Sequence, residues 1–215
     1  MRKCRCQLGI LAVLTVVVGS GTSLDGRPSA PPALQTPAET PAPGNPVIAI
    51  STSLGDITLE LFKDRAPVSV ANFLAYVGDG FYEGTTFHRV KKGFMVQAGG
   101  FTPDLTEKLT RPPIQNEATN GLRNLRGTLA MARRVALRSA TSQFYINLAD
   151  NRVLDHTGYS PDQFGYAVFG RVLTGMDVVD RIGSVPTTTQ GEMEDVPAEP
   201  VIIKSVRLVK PAPVP

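Results

Sequence analysis

The amino-acid sequence predicts a mainly β protein whose strands form an antiparallel barrel accompanied by two helices. Short β-rich runs, separated by Gly, Asn and Asp, fill residues 85–172. Only two segments of the domain carry apolar residues at helical spacing. Many short strands with so few helices are typical of an antiparallel barrel. Hydrophobic residues make up 42% of the 215-residue chain, which fits one globular domain with extensions.

The domain opens with a predicted hairpin and a helix. Val47–Ser53 and the alternating segment Ile57–Phe62 flank the tight turn Leu54-Gly55-Asp56. Pro67 stands where a helix is expected to begin, because proline is tolerated in the first turn. The apolar positions at helical spacing are Val70, Phe73, Leu74 and Val77, and the stop signals are Gly78 and Gly80.

The domain is assigned to residues 47–210 and ends with a second helix and a strand. The helix is predicted over Met176–Ile182, and Val201–Leu208 is predicted as the closing strand. Residues 211–215 are predicted to be a disordered tail.

The N-terminus has the order of segments found in a secretory signal peptide, assigned to residues 1–22. Arg2, Lys3 and Arg5 form a basic start, and the apolar run Leu8–Val18 is followed by small residues. The run is too short for an ordinary membrane span. An uncleaved interfacial anchor is the alternative interpretation.

Removing the leader changes the charge and the cysteine content. Three of the 22 basic residues leave with it and none of the 19 acidic ones, so the mature chain is near neutral and nucleic-acid binding is not expected. Cys4 and Cys6 also lie in the leader, which excludes a cysteine metal site and a cysteine nucleophile from the mature chain.

Residues 23–46 are predicted to be a Pro-rich disordered spacer. Seven prolines lie between Arg27 and Pro46, among Ala, Thr and Ser. Such a composition buries too little apolar surface to offset the entropy of ordering. A cloning or pro-peptide remnant is the alternative.

The segment Phe87–Phe101, FHRVKKGFMVQAGGF, is the most informative part of the chain. It is predicted to form two strands joined by a Lys-Lys-Gly turn. Side chains two apart on a strand share a face, so Met95 and Gln97 project together and Arg89 can lean in from the neighbouring strand. A guanidinium, an amide and apolar walls suit a polar, uncharged ligand such as a peptide group. Proton abstraction is not favoured, because the segment has no carboxylate, cysteine or paired histidine.

Further motifs extend this pattern along the chain. They are GTLAMA (Gly127–Ala132), SQFYI (Ser142–Ile146), FGYAVFGRV (Phe164–Val172) and GMDVVDRI (Gly175–Ile182). With these motifs the chain resembles the cyclophilins, the peptidyl-prolyl cis-trans isomerases, from about Val47 to Leu208, and most resembles their bacterial periplasmic branch. The resemblance implies a closed eight-stranded antiparallel β-barrel capped by two helices, isomerase activity without a cofactor, and a periplasmic location.

The resemblance, together with the chemistry of the side chains, implies a set of site residues. Arg89 is expected to be catalytic, as a permanently charged hydrogen-bond donor to the prolyl nitrogen; a surface ion pair is the alternative role. The substrate-binding residues are an apolar socket (Phe94, Met95, Tyr145, Leu154), two amides (Gln97, Gln143), a groove-lining pair (Ala132, Arg133) and two flanking positions (Val153, Tyr166). Taken alone, Phe94 and Met95 would be assigned to the core.

Three of these positions depart from the better-known eukaryotic pattern. Tyr145 replaces a phenylalanine and adds a hydroxyl that needs a partner, Val153 replaces a tryptophan, and Tyr166 replaces a histidine. Tight cyclosporin binding is not expected, because the indole N–H and a large apolar contact are missing. The loop Arg133–Arg138, RRVALR, is interpreted as solvated, or alternatively as a rim that favours acidic clients.

Other functional classes have weaker support in the sequence. His88 and His156 are the only histidines and lack cysteine partners, so no metal site is expected. Ser142 lacks the elbow motif of a hydrolase nucleophile. The predicted partners are unfolded or partly folded polypeptides with exposed X-Pro bonds, met by a monomer that assists the folding of exported proteins. The alternative function is a binding module or chaperone that uses the same groove without turnover.

Overall fold

An eight-stranded antiparallel sheet forms the body of the computed structural model, which describes residues 40–209. The strands in chain order are β1 (Val47–Thr52), β2 (Gly55–Leu61), β3 (Arg89–Lys91), β4 (Met95–Ala98), β5 (Thr128–Met131), β6 (Phe144–Asn147), β7 (Val168–Thr174), β8 (Thr187–Gln190), β9 (Met193–Pro197) and β10 (Ile203–Val209). The order in the large sheet is β10-β1-β2-β7-β5-β6-β4-β3, and β8 and β9 pair as a separate hairpin. The predicted leader and C-terminal tail lie outside the described residues, as does most of the predicted spacer.

The sheet curls into an open half-barrel, so the prediction of a closed barrel is not confirmed. Its two edge strands, β3 and β10, are not paired with each other. The segments that precede them are joined by an isolated bridge between Thr86 and Ile202 and by a few backbone hydrogen bonds around it, such as that from Phe87 N–H to the carbonyl of Val201 (2.9 Å). The mainly β class and the antiparallel pairing are confirmed.

Two α-helices flank the sheet, as predicted. The first, α1, spans Pro67–Gly78, and the second, α2, spans Met176–Ile182. The start of α1 has no capping side chain of its own. The Glu117 carboxylate supplies the cap instead, accepting hydrogen bonds from the backbone N–H groups of Val68 (3.0 Å) and Ser69 (2.8 Å). None of the helices in residues 40–209 is long and apolar enough to cross a membrane.

The main core lies on the concave side of the sheet and is rich in aromatic rings. Phe73 of α1 packs edge-to-face against Phe144 of β6, with ring centroids 5.4 Å apart. Tyr82 and Phe169 complete the cluster around Phe73, with centroids 5.0 and 5.5 Å from its ring. All four side chains are fully buried, so helix and strands share one packed interior.

A buried carboxylate holds the residues that precede β1. Glu60 accepts hydrogen bonds from the backbone N–H of Ala42 (2.7 Å) and the side chain of Asn45 (2.8 Å), and pairs with Arg171 at 2.8 Å. Burial raises the pKa of Glu60, but these hydrogen bonds and the nearby guanidinium outweigh it and leave the pKa below its usual value. Contacts with the domain therefore begin before residue 47, within the stretch that the sequence assigns to the spacer.

Replacing Glu60 with glutamine is expected to lower the free energy of unfolding by roughly 2–3 kcal/mol at pH 7, because the buried side chain loses the charge that strengthens its hydrogen bonds. The folded pKa is depressed, so the stabilisation is present above the unfolded pKa and is lost as the pH falls through the folded pKa. Urea unfolding of wild type and Glu60→Gln, at pH 7 and in acid, measures both effects. Glu83→Gln, which alters an exposed carboxylate, is the matched control and should change stability by less than about 0.5 kcal/mol. A Glu60→Gln difference that does not shrink in acid would contradict the assignment.

Candidate active site

Three of the predicted site side chains, Arg89, Gln97 and Tyr145, lie in one row across the convex face of the sheet. The strand registers place Arg89 opposite Gln97, and Gln97 opposite Tyr145. The row continues through Ala130 on β5 to Val168 on β7. Met95 belongs to a cluster on this face, whereas Val96 and Ala98 belong to the main core on the other face, which agrees with the predicted alternation along β4.

An apolar socket forms at the centre of this row. Its buried floor consists of Met95, Tyr145, Ala130 and Val168, a cluster separate from the main core. Six partly buried side chains surround it: Phe62, Phe94, Leu122, Ala132, Leu154 and Tyr166. All four residues predicted for the socket are therefore brought together, and a small apolar ring could pack there.

The hydroxyl of Tyr145 has the partner that the sequence required. It donates a hydrogen bond to Asn124 Oδ1 at 2.8 Å, within the protein interior. Asn124 is itself held by a hydrogen bond from its side chain to the carbonyl of Leu154 (3.1 Å). Burial raises the pKa of Tyr145 well above its usual value, so the hydroxyl stays protonated and remains a donor to Asn124.

Two amides form the polar wall beside the socket. Gln97 donates from Nε2 to Gln143 Oε1 at 2.9 Å, and the backbone N–H of Ala132 donates to the carbonyl of Gln143 at 3.0 Å. Each side-chain amide has more donors and acceptors than this one bond uses. The pair can therefore bind the backbone of an extended peptide.

Arg89 lies at the open end of the row, on the last strand of the sheet. Its side chain is 42% exposed, and its Nε lies 3.6 Å from Asp195 Oδ2. Arg89 therefore takes part in a surface ion pair, which is the alternative role considered for it, through one of its three nitrogen atoms. The remaining N–H groups of the guanidinium still lie on the face that carries Gln97 and the socket, because Arg89 and Gln97 are direct cross-strand partners.

The remaining predicted residues have different surroundings. The guanidinium of Arg133 lies 4.8 Å from the Tyr166 ring and donates to the carbonyls of Gly165 (3.0 Å) and Pro161 (2.7 Å). Its side chain therefore braces the groove wall. Val153 is 81% exposed and does not join the socket cluster, although its neighbour Leu154 does.

The basic loop Arg133–Arg138 borders a cavity of about 400 Å³ next to the two amides. Arg134 in this loop pairs at 3.4 Å with Glu107, and both residues line the cavity. Within residues 40–209, no group of three or more His, Cys, Asp or Glu side chains could hold a metal ion.

His88 lies behind the site, buried next to Arg89. Its Nδ1 has no hydrogen-bond partner among the described residues, and its ring packs on Phe101 with centroids 4.6 Å apart. Burial is the main cause that lowers the pKa of His88 to about 4. The ring is therefore neutral in the folded protein at neutral pH, as expected for a structural histidine.

Stability should fall in acid because of His88. Between pH 6.5 and about 4 the unfolded chain takes up a proton on this histidine and the folded chain does not, which favours unfolding by up to roughly 3 kcal/mol. In a His88→Gln variant this part of the pH dependence should be missing. Urea unfolding of both proteins at pH 7, 5.5 and 4 tests this, with the difference at pH 7 taken as the baseline. Parallel stability curves over this range would show that His88 is not buried as a neutral ring.

Comparison with known proteins identifies the class to which this fold and this site belong. The family model of the cyclophilin type peptidyl-prolyl cis-trans isomerases matches residues 47–208. The chain therefore belongs to the cyclophilin-type peptidyl-prolyl cis-trans isomerases, and it is an isomerase.

Relatives and solved structures agree with this assignment. The chain is 54% identical over 163 residues to peptidyl-prolyl cis-trans isomerase A of Dickeya dadantii, covering 76% of this chain and 84% of that one. It is 53% identical to peptidyl-prolyl cis-trans isomerase B of Escherichia coli, covering 74% and 98%. A crystal structure of a Cryptosporidium parvum cyclophilin type isomerase, in the presence of the dipeptide Ala-Pro, matches with a TM-score of 0.65 and 27% identity over 76% of this chain and 99% of that one.

Sequence reasoning missed several residues of this site. Ala130 could have been found, since it alternates with the core residues Leu129 and Met131 on β5. Asn124 and Asp195 carry no local signal, because each reaches the site only through long-range packing.

Proposed function

We propose that this isomerase assists the folding of exported proteins in the periplasm by accelerating rotation about X-Pro bonds. The observation that carries the proposal is the row on the convex face, where the guanidinium of Arg89 and the amide of Gln97 border the apolar socket around Tyr145. The basic and apolar leader in the sequence supports export. The relative solved in the presence of Ala-Pro supports a proline-containing ligand.

The chemistry requires no covalent step. Rotation about a prolyl peptide bond has a barrier of roughly 18–20 kcal/mol, which comes from resonance between the nitrogen lone pair and the carbonyl. The uncatalysed reaction takes tens to hundreds of seconds. To reach a rate of about 10³ per second, the enzyme must lower the activation free energy by roughly 7 kcal/mol. Twisting the bond localises the lone pair on nitrogen, and the lone pair can then accept a hydrogen bond.

Each part of the site has a role in this scheme. Arg89 donates to the prolyl nitrogen in the twisted state, where the interaction is stronger than in either planar state. The socket around Met95 and Tyr145 binds the proline ring, and Gln97 and Gln143 hold the flanking backbone. We expect a monomer that uses no cofactor and binds many partly folded polypeptides weakly.

Tight cyclosporin binding is not part of this proposal. The chain has no tryptophan, and Val153, which stands at the corresponding position, is exposed outside the socket. The large apolar contact and the indole donor that such a position can supply are therefore missing.

Refolding of an exported protein tests the proposed function. A target without disulfides is chosen whose slow refolding phase is limited by an X-Pro bond. A catalytic amount of the mature isomerase should accelerate the slow phase without changing its amplitude, and Arg89→Ala should not. An unchanged slow phase would contradict the folding role.

Mass spectrometry of the protein from the periplasmic fraction tests export, with a new N-terminus expected within residues 18–25. Recovery of the protein with its intact leader from the cytoplasm would contradict the location.

A further inference from the structure

Asp195 is the acidic neighbour of Arg89, and it comes from outside the large sheet. It lies on β9 of the separate hairpin, which packs beside β3. The carboxylate reaches to 3.6 Å from Arg89 Nε, and the two side chains are 31% and 42% exposed. Among residues 40–209, no other carboxylate pairs with this guanidinium.

The backbone at Asp195 has an unusual conformation. The hairpin register pairs Thr188 with Val196 and Gln190 with Met193, so Glu194 and Asp195 together oppose one residue of β8. This is a bulge, which re-aims side chains. Asp195 has φ = +60°, and only Leu105 shares a positive φ among the non-glycine residues described. Glycine adopts this conformation without strain, and aspartate is among the few other residues that tolerate it. The backbone of β9 therefore accepts a carboxylate at the bulge.

The geometry of the pair suggests a role for this carboxylate. Arg89 projects from the last strand of the large sheet, so no paired strand of that sheet flanks its long, flexible side chain on the outer side. A carboxylate beside Nε restrains the guanidinium at its inner nitrogen and leaves the N–H groups of the two terminal nitrogens for a ligand.

We propose that Asp195 is a positioning residue that holds the Arg89 guanidinium in the orientation needed to donate to the prolyl nitrogen. This inference rests on the proposed role of Arg89. A half-exposed ion pair contributes little to stability, so the effect of losing Asp195 should be seen in turnover and not in unfolding. The bulge on β9 thus places the Asp195 carboxylate where it restrains the Arg89 side chain, which the strands of the large sheet do not hold.

A double-mutant cycle tests the proposal in the mature full-length protein, with a proline tetrapeptide as substrate. Asp195→Asn keeps the shape of the side chain and tolerates the positive φ, but removes the charge. It is expected to lower kcat/KM about 3- to 10-fold in the wild-type background. In the Arg89→Ala background it should have no further effect, because its contribution passes through the guanidinium.

Two further variants separate positioning from folding. Asp195→Gly relieves the backbone strain, so it should lower kcat/KM to the same extent while Tm is unchanged or higher. Glu194→Gln removes the exposed charge next in sequence and should leave kcat/KM unchanged.

Three outcomes would overturn the proposal: unchanged or raised kcat/KM in Asp195→Asn, an equal loss in both Arg89 backgrounds, or an equal loss in Glu194→Gln. Full activity of Arg89→Ala is a different failure, since it would remove the proposed role of Arg89 itself. Loss of activity in Arg89→Ala with none in Asp195→Asn would remove only the inference about Asp195.

Discussion

Replacing Arg89 with alanine is expected to lower kcat/KM for prolyl isomerisation by about 10²–10³-fold, the usual effect of losing one preorganised donor to a transition state. No other cation lies in the cross-strand row that carries Gln97 and Tyr145. The loss corresponds to about 2.7–4 kcal/mol of the roughly 7 kcal/mol that the enzyme must supply. In the variant, the socket and the amides would still supply the rest of this lowering of the barrier. A protease-coupled assay with a proline tetrapeptide measures the change.

Two control variants define what the Arg89→Ala result means. Arg89→Lys keeps the charge but loses the planar fork of donors, and should lie between wild type and alanine. Arg181→Ala removes an exposed arginine that pairs with Asp177 on α2 at 2.7 Å, and should retain full activity. Activity of Arg89→Ala within threefold of wild type would show that the donor is elsewhere. If wild type and Arg89→Ala accelerated the reaction equally little, the chain would be a binding module that uses the same groove.

Replacing Phe144 with alanine is expected to lower the free energy of unfolding by about 3–5 kcal/mol. The ring is fully buried and contacts Phe73 and Tyr82 edge-to-face, with centroids 5.4 and 5.6 Å away. Its removal leaves a cavity in the aromatic cluster and eliminates both ring pairs. For a domain of this size, the midpoint of thermal unfolding should fall by about 10 °C.

The neighbouring residue on the same strand is the matched control. Tyr145 faces the socket, so Tyr145→Phe removes only the hydrogen bond to Asn124 and should cost about 1 kcal/mol. Urea and thermal unfolding measure both variants. Phe144→Ala should keep most of its activity per folded molecule, because its side chain lies on the opposite face of the sheet. If Phe144→Ala lowered the free energy of unfolding by less than about 1.5 kcal/mol, the surrounding side chains would have to fill the space left by the ring.

Much of the fold and the candidate site could be predicted because the signals are local. The alternation in MVQA and FYIN assigns Met95 and Tyr145 to one face and Val96 and Phe144 to the other, as the structure shows. Pro67 at the start and Gly78 at the end bound α1 as predicted. These features depend on the alternation of side chains along a strand and on the backbone preferences of proline and glycine. Both are encoded in short segments of sequence.

The rest depends on contacts between distant segments. The hairpin of β8 and β9 was not predicted, because the exposed polar residues Thr187–Gln190 lack apolar alternation. The Asp195 carboxylate reaches Arg89 only when this hairpin folds beside β3. A closed barrel was expected from the resemblance, but the sheet is an open half-barrel, because the edge strands β3 and β10 do not pair and only the short segments before them are joined. No local pattern encodes how far two edge strands approach each other.

Because β4 and β6 carry the proposed ligand-binding side chains and the interior packing at alternate positions, the two sets of side chains can be varied in separate libraries. A library that randomises Met95, Gln97 and Tyr145 samples new peptide preferences while Val96 and Ile146 preserve the hydrophobic interior. A library at the inward positions would instead select for thermal robustness. Peptide specificity and thermal stability can thus be engineered in parallel on the same two strands, because each screen selects for residues on one face of the sheet.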